Sequence, residues 1–241
     1  MQFRKMPINE TALTILKAGA VEIRDIEAGD EPFLYASGNW GPGYISIKGL
    51  VGQKSIFKML TKQLTRKLVE QEVLPDFVAG NVTGGMIPGY QLSEDLGNIL
   101  GRPIPFVYIR DTRKKGGQKE LITGIANNPE ILPGMNGLVV EELVNFAQTT
   151  CNGAKVLRDA GYEATHAVTI LFYDNPEAIK NLAEHNLKEV YLLTLPEVLE
   201  VAEKHQTHSQ QSIEDYRTFL KNPLVWQSKR GYEPIKEGGT K

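Results

Sequence analysis

From Pro75 onward the sequence predicts an α/β fold, a parallel sheet with helices on both faces. Two observations carry this. Short apolar runs alternate with amphipathic stretches of helical spacing, the pattern of strands joined by crossover helices. Turn residues also fall where such junctions need them: Gly161 closes one helical stretch, and Pro176 stands at the start of another. Before Pro75 the alternation is missing, so the N-terminal part is read as a separate small element.

Element by element, Asn9–Lys17 has apolar residues at helical spacing and Gly19 as its stop. Phe33–Gly52 is broken by glycines and Pro42, with apolar residues at Tyr44, Ile45 and Ile47, and predicts a hairpin-like excursion outside the main sheet. Ser55–Glu72 predicts an amphipathic helix with Ile56, Phe57, Leu60, Leu64 and Leu68 on one face. There follow a strand "DFVAG", a glycine-rich loop "NVTGGMIPG", a helix "YQLSEDLGNILG" and a strand "IPFVYIR". The polar "DTRKKGGQKELITG" reads as flexible or as a β-ribbon. Next are a strand "NGLVVEE", a loop "LVNFAQTT" and a helix "CNGAKVLRDAG". Then "HAVTILFYD" is a strand, "NPEAIKNLAEHN" a helix and "EVYLLT" a last strand; two helices, "LPEVLEVAEKH" and "SIEDYRTFLKN", follow. The expected division is residues 1–52 as helix and hood, 53–230 as core with C-terminal helices, and 231–241 as a disordered tail.

The chain has 241 residues, 41% of them hydrophobic, enough for one substantial core. Its net charge of −2 gives no global attraction to nucleic acid or anionic membrane. The single cysteine, Cys151, excludes an intrachain disulfide and is read as a packing residue. Neither a signal peptide nor a run long enough to cross a bilayer is seen. The expectation is a soluble cytoplasmic protein with no nucleic-acid or membrane partner.

Parallel sheets bind ligands beyond the carboxyl ends of their strands, and three loops fall there. In Gly80–Gly89, Gly84 and Gly85 let the backbone approach an anion, and Thr83 adds a hydroxyl. A plain strand-to-helix turn explains the same glycines. Arg110–Lys119 holds five cations, one acid and a glycine pair. It is either a solvated hairpin tip or a lid that brings cations over a polyphosphate. Glu141 and Glu142 are expected to emerge at the end of their strand, where carboxylates can accept from ribose hydroxyls or hold Mg²⁺ through water. The following helix is expected to begin near Thr149 and Thr150, with free amides suited to a phosphate. An acidic pair facing solvent is the alternative.

These loops occur in the order found in type I phosphoribosyltransferases, and the chain resembles the orotate phosphoribosyltransferase family from about Thr11 to Trp226. "LTILKAGAVEIRD…FLYASGNWGPGYISIKGLVG" resembles its N-terminal helix and hood, "VAGNVTGGMIPG" its pyrophosphate loop, and "FVYIRDTRKKGGQKELITG" its lid. "LVVEELVNFAQTTCNGAKVLRDAGY" resembles its ribose-5-phosphate segment and following helix. The resemblance implies a homodimer that transfers ribose 5-phosphate from Mg²⁺-bound phosphoribosyl pyrophosphate to orotate, with the lid reaching into the neighbouring site. It assigns the pyrophosphate loop to Thr83, Gly84 and Gly85. Arg110 and Lys114 are its lid cations, with Arg113 and Lys115 near enough to substitute for others that are missing. Ribose and phosphate fall to Glu141, Glu142, Asn145, Gln148, Thr149 and Thr150, and the metal arrives with the substrate rather than on protein ligands.

Several positions depart from the family pattern. Asp111 and Gly116 replace a lysine and a histidine, and Glu141–Glu142 replace two aspartates. "NFAQ" replaces a small, glycine-bearing phosphate loop, with Ala147 at the usual glycine and Phe146 at a small residue. A hood lysine falls at Ala36, and Asn175 stands where many members grip the orotate carboxylate with arginine. Two function classes follow: a phosphoribosyltransferase for orotate or another base, and a non-catalytic relative that senses a nucleotide or phosphoribosyl pyrophosphate.

Overall fold

The computed structural model describes residues 6–35, 37–110 and 121–235. Helix α1 (Ile8–Lys17) buries Ala12, Ile15 and Leu16, and Gly19, at φ +72°, turns the chain out of it. Two small antiparallel pairs follow. Strand β1 (Val21–Ile23) pairs with β4 (Gly43–Ile45), and β2 (Phe33–Leu34) with β3 (Trp40–Gly41). Neither joins the main sheet, so Phe33–Gly52 does lie outside it. A 3-10 turn at Lys48–Gly52 leads into α2 (Lys54–Glu70), whose Phe57, Leu60, Leu64 and Leu68 are buried as its periodicity requires.

The main sheet uses β5 (Phe77–Asn81), β6 (Phe106–Ile109), β7 (Ile122–Thr123), β8 (Gly137–Val144), β9 (His166–Phe172) and β10 (Lys188–Thr194). Its order is β10-β9-β8-β5-β6-β7, and every pairing is parallel except β6 with β7. Helices α3 (Met86–Leu100), α4 (Gln148–Asp159) and α5 (Pro176–Glu184) form crossovers, and α6 (Leu195–Lys204), α7 (Gln210–Lys221) and α8 (Pro223–Lys229) close the chain. Alternate strand residues feed two cores. Val78, Leu138, Val140 and Val168 pack in a core shared with α2 and α3. Phe77, Ala79, Val139 and Ala167 pack in a second core, shared with α4 and α5. The sheet is covered on both faces, as the alternation predicts.

Because β6 and β8 lie on opposite sides of β5, the winding reverses between β5 and β8, and a crevice opens at their carboxyl ends. At the same height the side-chain alternation slips. Consecutive Ile170 and Leu171 share one core, as do consecutive Leu192 and Leu193, and Leu143 packs there with them.

Four expectations are corrected. Strand β8 does not end at Glu142. Leu143 and Val144 continue the ladder opposite Leu171 and Phe172, because both are apolar and have core to fill. The helix after the glycine loop starts at Met86, not Tyr90, since proline is tolerated in a first turn and Pro88 sits there. Helix α8 was not anticipated. It starts on Asn222, whose side chain accepts from the Val225 amide, with Pro223 in its first turn. Of the tail expected to be disordered, residues 231–235 make contacts: Tyr232 stacks on Trp40 at 4.8 Å, and the Ile235 amide donates to Asn39 Oδ1 at 2.9 Å; residues 236–241 lie outside the described residues.

These C-terminal contacts brace the hood. The Trp40 amide donates to Gln227 Oε1 at 2.8 Å. Beneath it, Trp226 Nε1 and an Arg230 nitrogen both donate to Asp215 Oδ1, at 2.9 and 2.6 Å.

On edge strand β10, both Glu189 carboxylate oxygens are buried without a hydrogen-bond partner among the described residues. Burial pushes its carboxyl well above the usual carboxylate range. The folded form binds this proton more tightly than the unfolded chain does, so stability falls as pH rises above the unfolded value, up to the folded one. The slope is at most about 1.4 kcal/mol per pH unit. Glu189→Met is expected to raise the denaturation midpoint, and to raise it more at pH 8 than at pH 5. An equal gain at both pH values would show that the carboxyl is not neutral in the fold.

Candidate active site

Three elements meet at the crevice. After β5 the chain turns through Val82–Gly85, with a cis peptide between Val82 and Thr83. The turn is closed by the Gly85 amide donating to the Asn81 carbonyl at 2.9 Å. Both glycines sit where a side chain would meet a neighbour. A Cβ on Gly85 would overlap the Val140 carbonyl oxygen, and one on Gly84 would overlap the Glu142 carboxylate. The loop is therefore pressed against the neighbouring strand, and the Glu142 carboxylate lies on its Gly84 backbone.

The two glutamates are consecutive on β8, and their carboxyl groups interact with each other. Glu141 is buried and accepts from Asn81 Nδ2 at 2.9 Å. The same amide nitrogen donates to the Thr149 carbonyl at 3.1 Å. Gly153 makes room for this amide, since a Cβ there would overlap Asn81 Oδ1. Asn81 thus ties β5, β8 and α4 together. Burial, and then the Glu142 charge, pushes the Glu141 carboxyl well above its usual range. Glu142 is also raised overall: burial pushes it up, against the pull of a backbone hydrogen bond and the Lys48 charge. The pair titrates in two steps, with Glu141 holding its proton longer.

The third element is the start of α4. Asn145–Ala147 crosses from β8 to the helix, which begins at Gln148, one residue before the expected Thr149. Ala147 stands before the helix at φ +62°, the left-handed conformation that glycine adopts most readily. The alanine therefore takes the glycine's backbone conformation. Strain of about 1–2 kcal/mol for a left-handed residue is partly offset by glycine's larger entropy loss of about 0.5–1 kcal/mol. Ala147→Gly is accordingly expected to raise the melting temperature by about 1–3 °C. A lower melting temperature would show that the alanine methyl contributes more by packing than its conformation costs.

Phe146 points into the core rather than the loop, where it is buried. Its carbonyl accepts from Asn181 Nδ2 at 2.8 Å. Asn175, at the position where arginine was expected, is buried and structural. Its Nδ2 donates to the Asn145 carbonyl at 2.8 Å, and its Oδ1 accepts from the Ala178 amide at 2.9 Å, capping α5. Cys151 is buried under the same helix, and burial pushes its thiol up to about 11, which suits packing rather than nucleophilic attack.

Together these surfaces enclose a cleft of about 350 Å³. Thr83, Gly84, Glu141, Glu142, Asn145, Gln148, Thr149 and Thr150 all line it; Thr149 is exposed and Thr150 buried. Gly85 lies behind the lining, and Arg110 lies outside it. Arg110 is held on the β6–β7 ribbon, where its Nε donates to Thr123 Oγ1 at 2.9 Å. Arg113, Lys114 and Lys115 lie outside the described residues, as does Ala36. The hood closes the far wall with Tyr35, Ser37, Tyr44, Ile45 and Lys48, and Tyr173 adds to it from the end of β9. The sequence reading missed Lys48, Tyr35, Tyr173 and the tie through Asn81. Asn81 was readable as a polar residue ending a buried strand; the others needed the hood's placement over the sheet. Among the described residues no group of three or more histidine, cysteine, aspartate or glutamate side chains could hold a metal. No helix among them is long and apolar enough to cross a membrane.

The doubly wound sheet with its switch point under these loops is also found in solved phosphoribosyltransferase structures. The orotate phosphoribosyltransferase of Aeropyrum pernix matches it with a TM-score of 0.62 at 22% identity, over 81% of this chain and 99% of that one. In sequence the chain is similar to orotate phosphoribosyltransferases. That of Phocaeicola vulgatus is 27% identical over 214 residues, covering 89% of this chain and 94% of the relative. That of Listeria innocua is 28% identical over 218 residues, covering 89% and 99%. No family model matches the chain.

Proposed function

We propose that this protein transfers ribose 5-phosphate from phosphoribosyl pyrophosphate to orotate, giving orotidine 5′-monophosphate and pyrophosphate. The observation that supports it most is the joining of a glycine-pressed loop, a carboxylate and a helix start in one cleft at the switch point. In this reading the 5′-phosphate meets the free amides of α4 and the hydroxyls of Thr149 and Thr150. Glu142 accepts from the ribose hydroxyls, while Glu141, held by Asn81, sets its position. The backbone of Thr83–Gly85 receives the pyrophosphate, with Lys48 as a cation on the same side. Arg110, Arg113, Lys114 and Lys115 supply the cations that neutralise the leaving group as the ribose acquires oxocarbenium character.

Mg²⁺ would come with phosphoribosyl pyrophosphate rather than on protein ligands, and would neutralise charge on the leaving group. The working form is a homodimer in the cytoplasm, acting on small molecules without nucleic-acid or membrane partners. The test is orotate consumption with phosphoribosyl pyrophosphate and Mg²⁺, followed by calorimetric titration of each ligand. Turnover that needs all three supports the transferase. Phosphoribosyl pyrophosphate binding with no turnover for orotate or any other base would instead mark a non-catalytic sensor, the reading favoured by the loss of arginine at Asn175.

A further inference from the structure

Three consecutive hood residues take partners from the C-terminal segment. Gly38 turns the tip of the β2–β3 hairpin at φ +82°, and a Cβ there would overlap the Ile235 side chain. Asn39 is 1% exposed. Its Oδ1 accepts from the Ile235 amide at 2.9 Å, and its Nδ2 donates to the Ile235 carbonyl at 3.0 Å. One side-chain amide thus exchanges two hydrogen bonds with one residue's backbone, as facing residues of an antiparallel ladder do. Trp40 completes the set through Gln227 and Tyr232.

The other side of the same tip is the cleft, which Tyr35 and Ser37 line. The tip is closed on itself: the Tyr35 amide donates to the Asn39 carbonyl, and the Gly38 amide to the Tyr35 carbonyl, both at 2.8 Å. What carries it is small. Strands β2 and β3 have two residues each and pair only with each other, and an isolated two-stranded hairpin is marginal in water. The tail contacts therefore supply much of what holds Tyr35 and Ser37 in place.

We infer that Asn39 and Ile235 form a latch that positions the hood tip as the acceptor's wall of the cleft. This rests on the transferase reading. There the phosphate, ribose and pyrophosphate are met by α4, Glu142 and Thr83–Gly85, which leaves the hood tip to the acceptor base. Asn39 and Ile235 touch no substrate. They act through Ser37 and Tyr35, so both are positioning residues.

The experiment measures initial rates with orotate and phosphoribosyl pyrophosphate varied in turn, and hydrogen exchange at the amides of Tyr35, Gly38 and Trp40. It compares the full chain with Asn39→Ala and Ile235→Pro. Asn39→Ala removes both bonds of the latch. Ile235→Pro removes only the donated amide, close to the chain end, and so keeps the test open should Asn39→Ala not fold. Asn39→Ala is expected to raise KM for orotate by about 5–15-fold and Ile235→Pro by about 2–5-fold, the scale of neutral hydrogen bonds. Exchange at the three amides quickens in both, while KM for phosphoribosyl pyrophosphate stays within about twofold. Unchanged exchange overturns the latch. Quickened exchange with an unchanged orotate KM overturns its role, as does an equal rise in KM for both substrates, which marks general loosening. A wild type without turnover would instead remove the transferase reading and the acceptor role with it, whereas the exchange rates would still report the latch.

Discussion

Gly85→Ala is expected to destabilise the protein by about 3 kcal/mol or more, enough that little folded protein is recovered. The added methyl would overlap the Val140 carbonyl oxygen and lie 2.8 Å from the Asn81 amide nitrogen. Both are backbone atoms of central strands, one on β8 and one on β5, and neither can move without opening the ladder that joins them. Gly84→Ala makes the contrast. There the atoms nearest the methyl all belong to the Glu142 carboxylate, the far end of a flexible side chain. That variant is expected to fold normally and to lose activity, because Glu142 must leave its place over the loop. Denaturant titration and a turnover assay on both variants read the difference. A stable Gly85→Ala protein would mean that the loop is not pressed against β8 as described.

That contrast separates two jobs of one short loop. Gly85 is required by the fold and Gly84 by the site. The same division runs through the polar residues. Asn81, Asn175 and Asn181 spend their amides on the backbone of the segment between β8 and α4, through Thr149, Asn145 and Phe146. A segment without the usual glycine cradle is held by three buried or half-buried amides instead. Its shape is thereby set by the protein itself, which is what the proposed phosphate site would require.

Much of the core was legible because hydrophobic periodicity and turn chemistry are local. Phe57, Leu60, Leu64 and Leu68 could face only one way on a helix, and Pro176 could only open one. What was misread depended on partners distant in sequence. Glu142 looked like a strand end because two charges rarely lie within a strand. The ladder opposite Leu171 and Phe172 carries β8 past it. The tail looked disordered because Tyr232 and Ile235 have no local partner; theirs are Trp40 and Asn39, nearly 200 residues away. At the candidate site the loops were readable as glycine, carboxylate and hydroxyl motifs. The wall of Tyr35, Lys48 and Tyr173 was not, since it exists only where the hood folds over the sheet. Ala147 was read as the loss of a glycine. The structure gives it the glycine's left-handed conformation, a strain that residue type alone does not reveal.

Glu142→Gln is expected to lower kcat/KM for phosphoribosyl pyrophosphate by about 10²-fold, the scale of losing one charged contact to a reacting group. Glu141→Gln is expected to change it less than about threefold near neutrality. The two side chains are neighbours in sequence and identical in kind, and only their surroundings differ. Glu141 is buried, bonded to Asn81, and pushed well above the usual carboxylate range by burial and by Glu142. A glutamine there resembles the protonated acid and still accepts from Asn81. Glu142 lines the cleft, and burial raises its carboxyl too, though the Lys48 charge opposes that shift; in the proposed reading it is the member that carries the negative charge to the ribose. The pH dependence follows with a definite sign. As pH rises through the elevated Glu141 value, a second charge appears beside Glu142 and beside an anionic substrate, so KM for phosphoribosyl pyrophosphate rises. Glu141→Gln removes that alkaline limb, because its amide does not ionise. Initial rates from pH 6 to 10 for wild type and both variants test this. An inactive Glu141→Gln with an active Glu142→Gln would exchange their roles. Tighter phosphoribosyl pyrophosphate binding by Glu142→Gln would mean that this carboxylate only repels the ligand, and the ribose contact would have to lie elsewhere in the cleft.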